Sequence, residues 1–182
     1  MISKITLTTL LLGICGHVYS CKCDGPGTIK ESFKGSSVIV RGRVVGKRLM
    51  SFDKTMNATK VDYVKNKLRD DKEKLQLFLS DFVYEIRLLV KESFRGSNAG
   101  DTLTIYTTTT SGSCGYRFDL DKEYIVYTLK KSLHYFLFLS EEERKDNFER
   151  ENTYWAHACT RTTEYNNAEA AELRQLQSDE RE

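Results

Sequence analysis

Catalytic motifs are missing from this 182-residue sequence. Its three histidines are His17, His134 and His157, and none belongs to a His-Glu-x-x-His motif, the zinc-binding pattern of many metalloproteases. A Gly-x-Ser-x-Gly nucleophile motif is missing as well. Because His134 and His157 are scattered in the sequence and neither belongs to a metal-binding motif, we interpret both as surface or strand residues. The sequence therefore predicts that the protein is not an enzyme and needs no cofactor.

An excess of charge of one sign is also missing. The chain has 28 Lys and Arg residues against 26 Asp and Glu residues, which gives a formal net charge of +2. Such a balance provides no field that would attract nucleic acid or an anionic membrane. After residue 20, no apolar run approaches the roughly 18 residues expected of a membrane span. We therefore expect neither nucleic acid nor a membrane as partner, unless the amino terminus is lipidated.

The first 20 residues have the organisation of a secretory leader. Lys4 supplies a positive charge, residues 5–15 are mostly apolar, and Val18-Tyr19-Ser20 places a small residue at the cleavage position. We predict a signal peptide over 1–20 and a secreted, extracellular protein, with the periplasm or cell surface as the equivalent in a bacterium. A retained anchor and a lipoprotein signal ending at Cys21 are the alternatives, although bulky Tyr19 fits a lipoprotein signal poorly.

Removal of that leader makes Cys21-Lys22-Cys23 the new amino terminus. The terminal α-amine and the carbonyl oxygen of Cys21 could together chelate a metal ion. Four cysteines remain after cleavage, and an even number in a secreted chain indicates two disulfides. A Cys21–Cys23 bridge would close a small strained ring, so each terminal cysteine pairs with Cys114 or Cys159, in either arrangement. A zinc site is a weaker alternative because the Cys-x-x-Cys spacing is missing.

The middle of the chain favours β-structure. Five segments are rich in β-branched or aromatic residues and are separated by turn residues; they cover 38–45, 82–90, 102–110, 123–129 and 133–139. No helix regularly separates these segments, which favours a small antiparallel barrel over a parallel sheet. We expect one domain over 21–177 and a frayed tail over 178–182.

Two regions depart from this strand pattern. Residues 50–81 form a charged insertion, in which 62–79 is either an amphipathic helix or a solvated loop. The insertion contains Asn57-Ala58-Thr59, which is an N-glycosylation sequon. Near the carboxyl terminus, Asn166 or Asn167 is expected to cap a helix.

Several segments, taken in order, follow the pattern of a known family. They are Cys21-Lys22-Cys23, 37–46, Tyr84-Glu85-Ile86, Phe94-Arg95-Gly96, Ile105-Tyr106-Thr107, Ser113-Cys114-Gly115 and 122–127. In this order they resemble the inhibitory domain of the tissue inhibitors of metalloproteinases, which is a netrin-like module on a five-stranded OB-type closed barrel with one or two flanking helices. The resemblance covers residue 21 to about residue 129 without the 50–81 insertion, and it resumes at Cys159.

The resemblance implies a pairing and a mechanism. The disulfides would be Cys21–Cys114 and Cys23–Cys159, and the partner would be a zinc metalloprotease. The α-amine and carbonyl of Cys21 would bind the protease zinc and displace its water. Lys22 would enter the adjacent pocket of the protease. Ser113, Cys114 and Gly115 would pack beside the terminus, so the protease-binding residues would be these three together with 21–23.

The sequence also departs from that family in informative ways. Its members usually have a small polar residue at the position of Lys22, and they have a further cysteine near the position of Lys34. A lysine needs its ammonium solvated or paired inside a protease pocket. The alternative function is therefore a secreted netrin-like binding or scaffold module, in which Cys21 only fixes the terminus.

Overall fold

A long antiparallel hairpin organises the protein. The computed structural model describes residues 25–109 and 114–180. Strand β1 (Val38–Ser51) pairs with β2 (Phe82–Arg95) from Ile39↔Arg95 to Ser51↔Phe82. Strands β3 (Thr102–Thr108), β4 (Glu123–Thr128) and β5 (Thr163–Glu164) complete a five-stranded sheet in the order β3-β2-β1-β4-β5. The prediction of a mainly β fold built on five antiparallel strands is confirmed.

The sheet is not closed into a barrel, so that part of the prediction is wrong. The outer strands of the sheet are β3 and β5. The segment predicted as the fifth strand, 133–139, instead begins with a 3-10 helix over Leu133–Leu137, capped by the Ser132 side chain, which accepts from the His134 backbone N–H. Its buried residues Tyr135, Phe138 and Leu139 have helical rather than alternating spacing. The fifth strand is the two-residue β5.

Both faces of the sheet are covered by apolar groups. Val38 and Val40 point into a first core with Ile86 and Leu88, which lies on one face. Ile39, between the two valines, points to the opposite face, because successive side chains of a strand alternate. There it meets helices α1 (Ile29–Gly35) and α4 (Asn167–Asp179) in another core. This two-sided burial explains why β1 begins with three consecutive apolar residues, Val38, Ile39 and Val40.

The insertion between β1 and β2 is helical. It contains a 3-10 helix (Phe52–Thr55), α2 (Ala58–Lys67) and α3 (Lys72–Leu79). A single helix over 62–79 is therefore wrong, because the chain turns between Leu68 and Asp71, whose side chain caps α3. Val64 and Leu68 are buried as the amphipathic pattern predicts, whereas Phe78 is buried in place of exposed Leu79.

Of the two flanking helices, the sequence predicted one and missed the other. Helix α4 begins where predicted, because the Asn166 side chain accepts a hydrogen bond of 2.8 Å from the Glu169 backbone N–H. Helix α1 was not predicted, although Thr28 and Glu31 form a capping box at its start. In the described part of the chain, no helix combines the length and apolar character needed to cross a bilayer.

Candidate functional site

The structure describes only part of the predicted site. Cys21, Lys22, Cys23 and Ser113 lie outside the described residues, whereas Cys114, Gly115 and Cys159 lie within them. Neither Cys114 nor Cys159 is a free thiol, because both are disulfide-bonded. No bridge between two described residues is shown, so the pairs Cys21–Cys114 and Cys23–Cys159 remain predictions.

The fold brings the two described cysteines onto neighbouring segments. The Ala158 backbone N–H donates a hydrogen bond of 2.8 Å to the Cys114 carbonyl oxygen. Gly115 and His157 form an antiparallel bridge immediately beside it. Cys114 itself has a φ of 64°, in the left-handed region that few non-glycine residues adopt. The segments that contain Cys114 and Cys159 are therefore joined by backbone pairing.

The amino-terminal segment lies beside the same pair of segments. Arg161, two residues after Cys159, donates a hydrogen bond of 2.9 Å from Nη1 to the Gly27 carbonyl oxygen. Its Nε also bonds the Glu169 carboxylate at 3.0 Å, which holds the guanidinium between the terminus and α4. Gly27, near the start of the described residues, therefore lies beside the segment that contains Cys159.

A groove lies directly beside Gly115. Lys47 forms part of its wall. Its Nζ donates a hydrogen bond of 3.0 Å to the Phe118 carbonyl oxygen and lies 4.4 Å from the centre of the Tyr84 ring. Tyr116 forms another part, and burial raises the pKa of its hydroxyl to about 12, so this residue is neutral at physiological pH. The residues that line the groove are Lys47, Tyr84, Thr108, Thr109, Gly115, Tyr116 and Arg117. It presents two cationic side chains beside aromatic rings.

Sequence reasoning did not identify this groove. Lys47 and Tyr84 come from β1 and β2, and Tyr116 comes from the turn after Gly115. No spacing within the sequence links residues from three separate segments. The register of the hairpin, which pairs Lys47 with Ile86 and Leu49 with Tyr84, is what brings the first two together.

The backbone of residues 154–156 bridges β3 and the end of β4, which are the two outermost of the four longer strands. The Trp155 backbone N–H and carbonyl bond Leu129, just after β4, at 2.8 and 2.9 Å. The flanking residues Tyr154 and Ala156 bond Tyr106 of β3 at 2.8 and 2.9 Å. The Trp155 side chain is fully buried, so it does not form an exposed stacking platform, a role that an OB-type fold could have given it. This segment leads directly to His157 and Cys159.

The interpretation of His134 and His157 as surface or strand residues is wrong, because both are buried outside the five strands. The His134 ring is paired with the Asp81 carboxylate. The His157 ring stacks on Trp155 with an interplanar angle of 4°, and its Nδ1 has no hydrogen-bond partner among residues 25–109 and 114–180. Within the described ranges, no three His, Cys, Asp or Glu residues are grouped as metal ligands.

His157 gives the protein a calculable sensitivity to acid. Burial, with a smaller contribution from nearby His134, lowers the pKa of His157 to about 4. The folded state therefore binds fewer protons than the unfolded state between about pH 6.5 and pH 4. As the pH falls from about 6.5 to about 4, we therefore expect the free energy of unfolding to decrease, and His157 contributes up to about 3 kcal/mol of this decrease.

The measurement is urea unfolding of the wild type and His157→Gln at pH 7 and pH 4.5. Glutamine does not titrate, so the variant should lose less stability on acidification than the wild type. Comparing the two proteins also removes the contribution of Glu149, whose pKa is raised by burial and which acts in the opposite direction. An equal loss in both proteins would contradict the assignment.

Comparison with known proteins adds no identity. No protein-family model matches the sequence, and no curated protein sequence matches it significantly.

Proposed function

We propose that the protein is a secreted inhibitor of zinc metalloendopeptidases, similar to the tissue inhibitors of metalloproteinases. The open sheet would be a variant of the netrin-like module of that family. The α-amine and carbonyl oxygen of Cys21 would be the groups that bind the protease zinc. The mature chain would begin at Cys21 with an unmodified amine.

The observation that carries the proposal is the meeting of three distant segments. Two cysteines separated by one residue can be bridged to two others only if those two lie close together, since bridged Cα atoms are about 4.4–6.8 Å apart. The backbone bond from Ala158 to Cys114 provides that closeness. The bond from Arg161 to Gly27 brings the amino-terminal segment to the same place. Such an arrangement supports a terminus fixed rigidly at the surface.

A fixed terminus is what chelation requires. The catalytic zinc of a metalloprotease has three protein ligands and an open position, which holds the water that attacks the substrate. A rigid amine and carbonyl can occupy that position with little loss of conformational entropy, because the disulfides have already ordered them. The amine binds metal only when deprotonated, so inhibition should weaken in acid.

The groove beside Gly115 would then face the protease next to the zinc. Lys47 and Arg117 make this groove cationic, and Lys22 adds a further cation. Electrostatic complementarity favours proteases with acidic residues around the substrate cleft. We therefore expect the targets to be zinc endopeptidases with acidic clefts.

The test is a titration of zinc endopeptidases that differ in cleft charge. The secreted wild type should inhibit at least one of them, with a preference for acidic clefts, and Lys22→Thr and Lys22→Leu should shift that preference without abolishing inhibition. Mass spectrometry of the same sample should find Cys21 as an unmodified first residue. If the wild type inhibits none of the enzymes, the proposal fails and the binding-module function replaces it. A diacylglycerol on Cys21 would also contradict it.

A further inference from the structure

We propose that Asn57 is an N-glycosylation site, and that its glycan covers the groove between the start of α2 and the turn at Arg150. Asn57-Ala58-Thr59 is the only place in the sequence where Asn is followed two positions later by Ser or Thr. The inference rests on passage through a secretory pathway, which is part of the proposed function. It does not depend on inhibition.

The side chain of Asn57 caps α2 through Oδ1 and leaves Nδ2 available for modification. Its Oδ1 accepts hydrogen bonds from the Thr59 backbone N–H at 3.1 Å and from the Thr59 hydroxyl at 2.9 Å. These bonds cap α2. Nδ2 makes no hydrogen bond to any residue in the described parts of the chain, and the residue is exposed. A sugar on Nδ2 would therefore leave the helix cap intact.

The backbone at this position is fixed, which gives the glycan a defined origin. The Asn57 backbone N–H donates a hydrogen bond of 2.9 Å to the Phe148 carbonyl oxygen, and adjacent Met56 forms an antiparallel β-bridge with Glu149. The Asn57 carbonyl accepts from Lys60 and Val61 in the first turn of α2. The first sugars would thus project from a rigid helix start rather than from a loop.

The modification is a group transfer from a lipid-linked diphosphate oligosaccharide, catalysed by the oligosaccharyltransferase of the host. A bond forms between Nδ2 of Asn57 and the anomeric carbon of the first sugar. The bond from that carbon to the diphosphate oxygen breaks, and the lipid diphosphate leaves with the electron pair. The amide releases one proton, and no oxidation or reduction takes place.

The groove beside Asn57 suits the first sugars. Its rim has charged groups of both signs, among them Lys54, Asp62 and Arg150, which can bond sugar hydroxyls. Arg150 is held there by a hydrogen bond of 3.0 Å from Nη1 to the Lys54 carbonyl oxygen. This groove and the groove beside Gly115 have no lining residue in common. A glycan on Asn57 is therefore compatible with an inhibitory terminus.

The chain contains its own negative control. Asn98-Ala99-Gly100 has the same first two residue types, and Asn98 is exposed in a turn. It lacks the hydroxyl residue at the third position. Glycosylation that follows the sequon should modify Asn57 and leave Asn98 unmodified in the same molecule.

The experiment is secretion of the full chain from a eukaryotic host, once with its own leader and once with a leader of established function. Intact mass and peptide mapping are measured before and after treatment with a peptide:N-glycosidase, which converts a glycosylated Asn to Asp. We expect Asp at position 57 and Asn at position 98. Asn57→Asp and Thr59→Ala should lack the glycan, and Thr59→Ser should retain it. Asn57→Asp preserves the helix cap, so its loss of mass cannot be attributed to misfolding.

The outcomes separate this proposal from the proposed function. An unmodified Asn57 in protein secreted with the established leader would overturn the glycosylation site, as would a glycan that persists in Thr59→Ala. Failure of secretion with the native leader alone would instead contradict the predicted signal peptide. A lack of inhibition by correctly glycosylated protein would contradict only the inhibitor function. Equal hydrogen exchange of the Arg150 segment with and without the glycan would overturn its placement over the groove.

Discussion

One alanine added before Cys21 is expected to abolish inhibition while leaving the fold unchanged. The added residue moves the free amine by about 3.8 Å, one Cα step. Zinc–nitrogen bonds in proteins are about 2.0–2.1 Å long and tolerate changes of only about 0.2 Å. The former α-amine also becomes an amide nitrogen, which no longer has a basic lone pair. Both disulfides can still form because neither cysteine is altered.

A cleavable extension provides the matched control. A short peptide that ends in a protease recognition sequence immediately before Cys21 should also prevent inhibition, and its removal should restore it. Inhibition constants are measured for the wild type, the alanine-extended form and the cleavable form before and after cleavage. If the alanine-extended protein inhibits as well as the wild type, chelation by the terminus is wrong. Circular dichroism confirms that all forms are equally folded.

Local sequence predicted where the two long strands begin but not where they end. Both long strands begin where predicted, at Val38 and Phe82, because a turn or a polar residue precedes an apolar run. Both extend further than predicted, to Ser51 and Arg95. The extension of β1 contains Lys47 and Arg48, whose polar side chains suggest a loop. Their backbone groups are nevertheless paired with β2, and that pairing depends on a partner that is distant in the sequence.

The segment 133–139 shows the opposite error. Its aromatic and leucine content favours a strand on propensity alone, but propensity for β-structure largely reflects the packing environment. Here Phe52 supplies that environment, with ring centres 5.4 Å from Tyr135 and 6.1 Å from Phe138. Phe52 belongs to the insertion between β1 and β2, so no window around residue 135 contains the deciding contact.

The candidate site was predictable in its parts and not in its arrangement. The leader and the even number of cysteines pointed to a terminus bridged to Cys114 and Cys159. The bond between Arg161 and Gly27, which places Gly27 beside the Cys159 segment, joins residues that no local pattern connects. The acid sensitivity of His157 was likewise unpredictable, because its lowered pKa arises from burial beside Trp155.

Trp155→Ala is expected to lower the free energy of unfolding by about 3–5 kcal/mol, the usual cost of replacing a buried tryptophan or phenylalanine with alanine. Trp155 is fully buried, and its ring lies 5.9 Å from Phe52 and 5.7 Å from Tyr106. Its removal leaves a cavity where the helical insertion meets the sheet. The same change should loosen the adjacent His157–Gly115 pairing, on which the position of Cys114 depends.

Trp155→Phe is the matched control for this prediction. The indole Nε1 has no hydrogen-bond partner in the part of the chain that the structure describes, so phenylalanine removes a buried donor while keeping much of the aromatic volume. We expect it to cost well under half of the alanine change. Urea unfolding is followed by circular dichroism, because Trp155 is the single tryptophan of the chain and both variants lose its fluorescence. Hydrogen exchange at Ala158, whose N–H bonds the Cys114 carbonyl, measures the effect on the site. If Trp155→Ala lowers the free energy of unfolding by less than about 1 kcal/mol, the segment 154–157 does not hold β3 and β4 together.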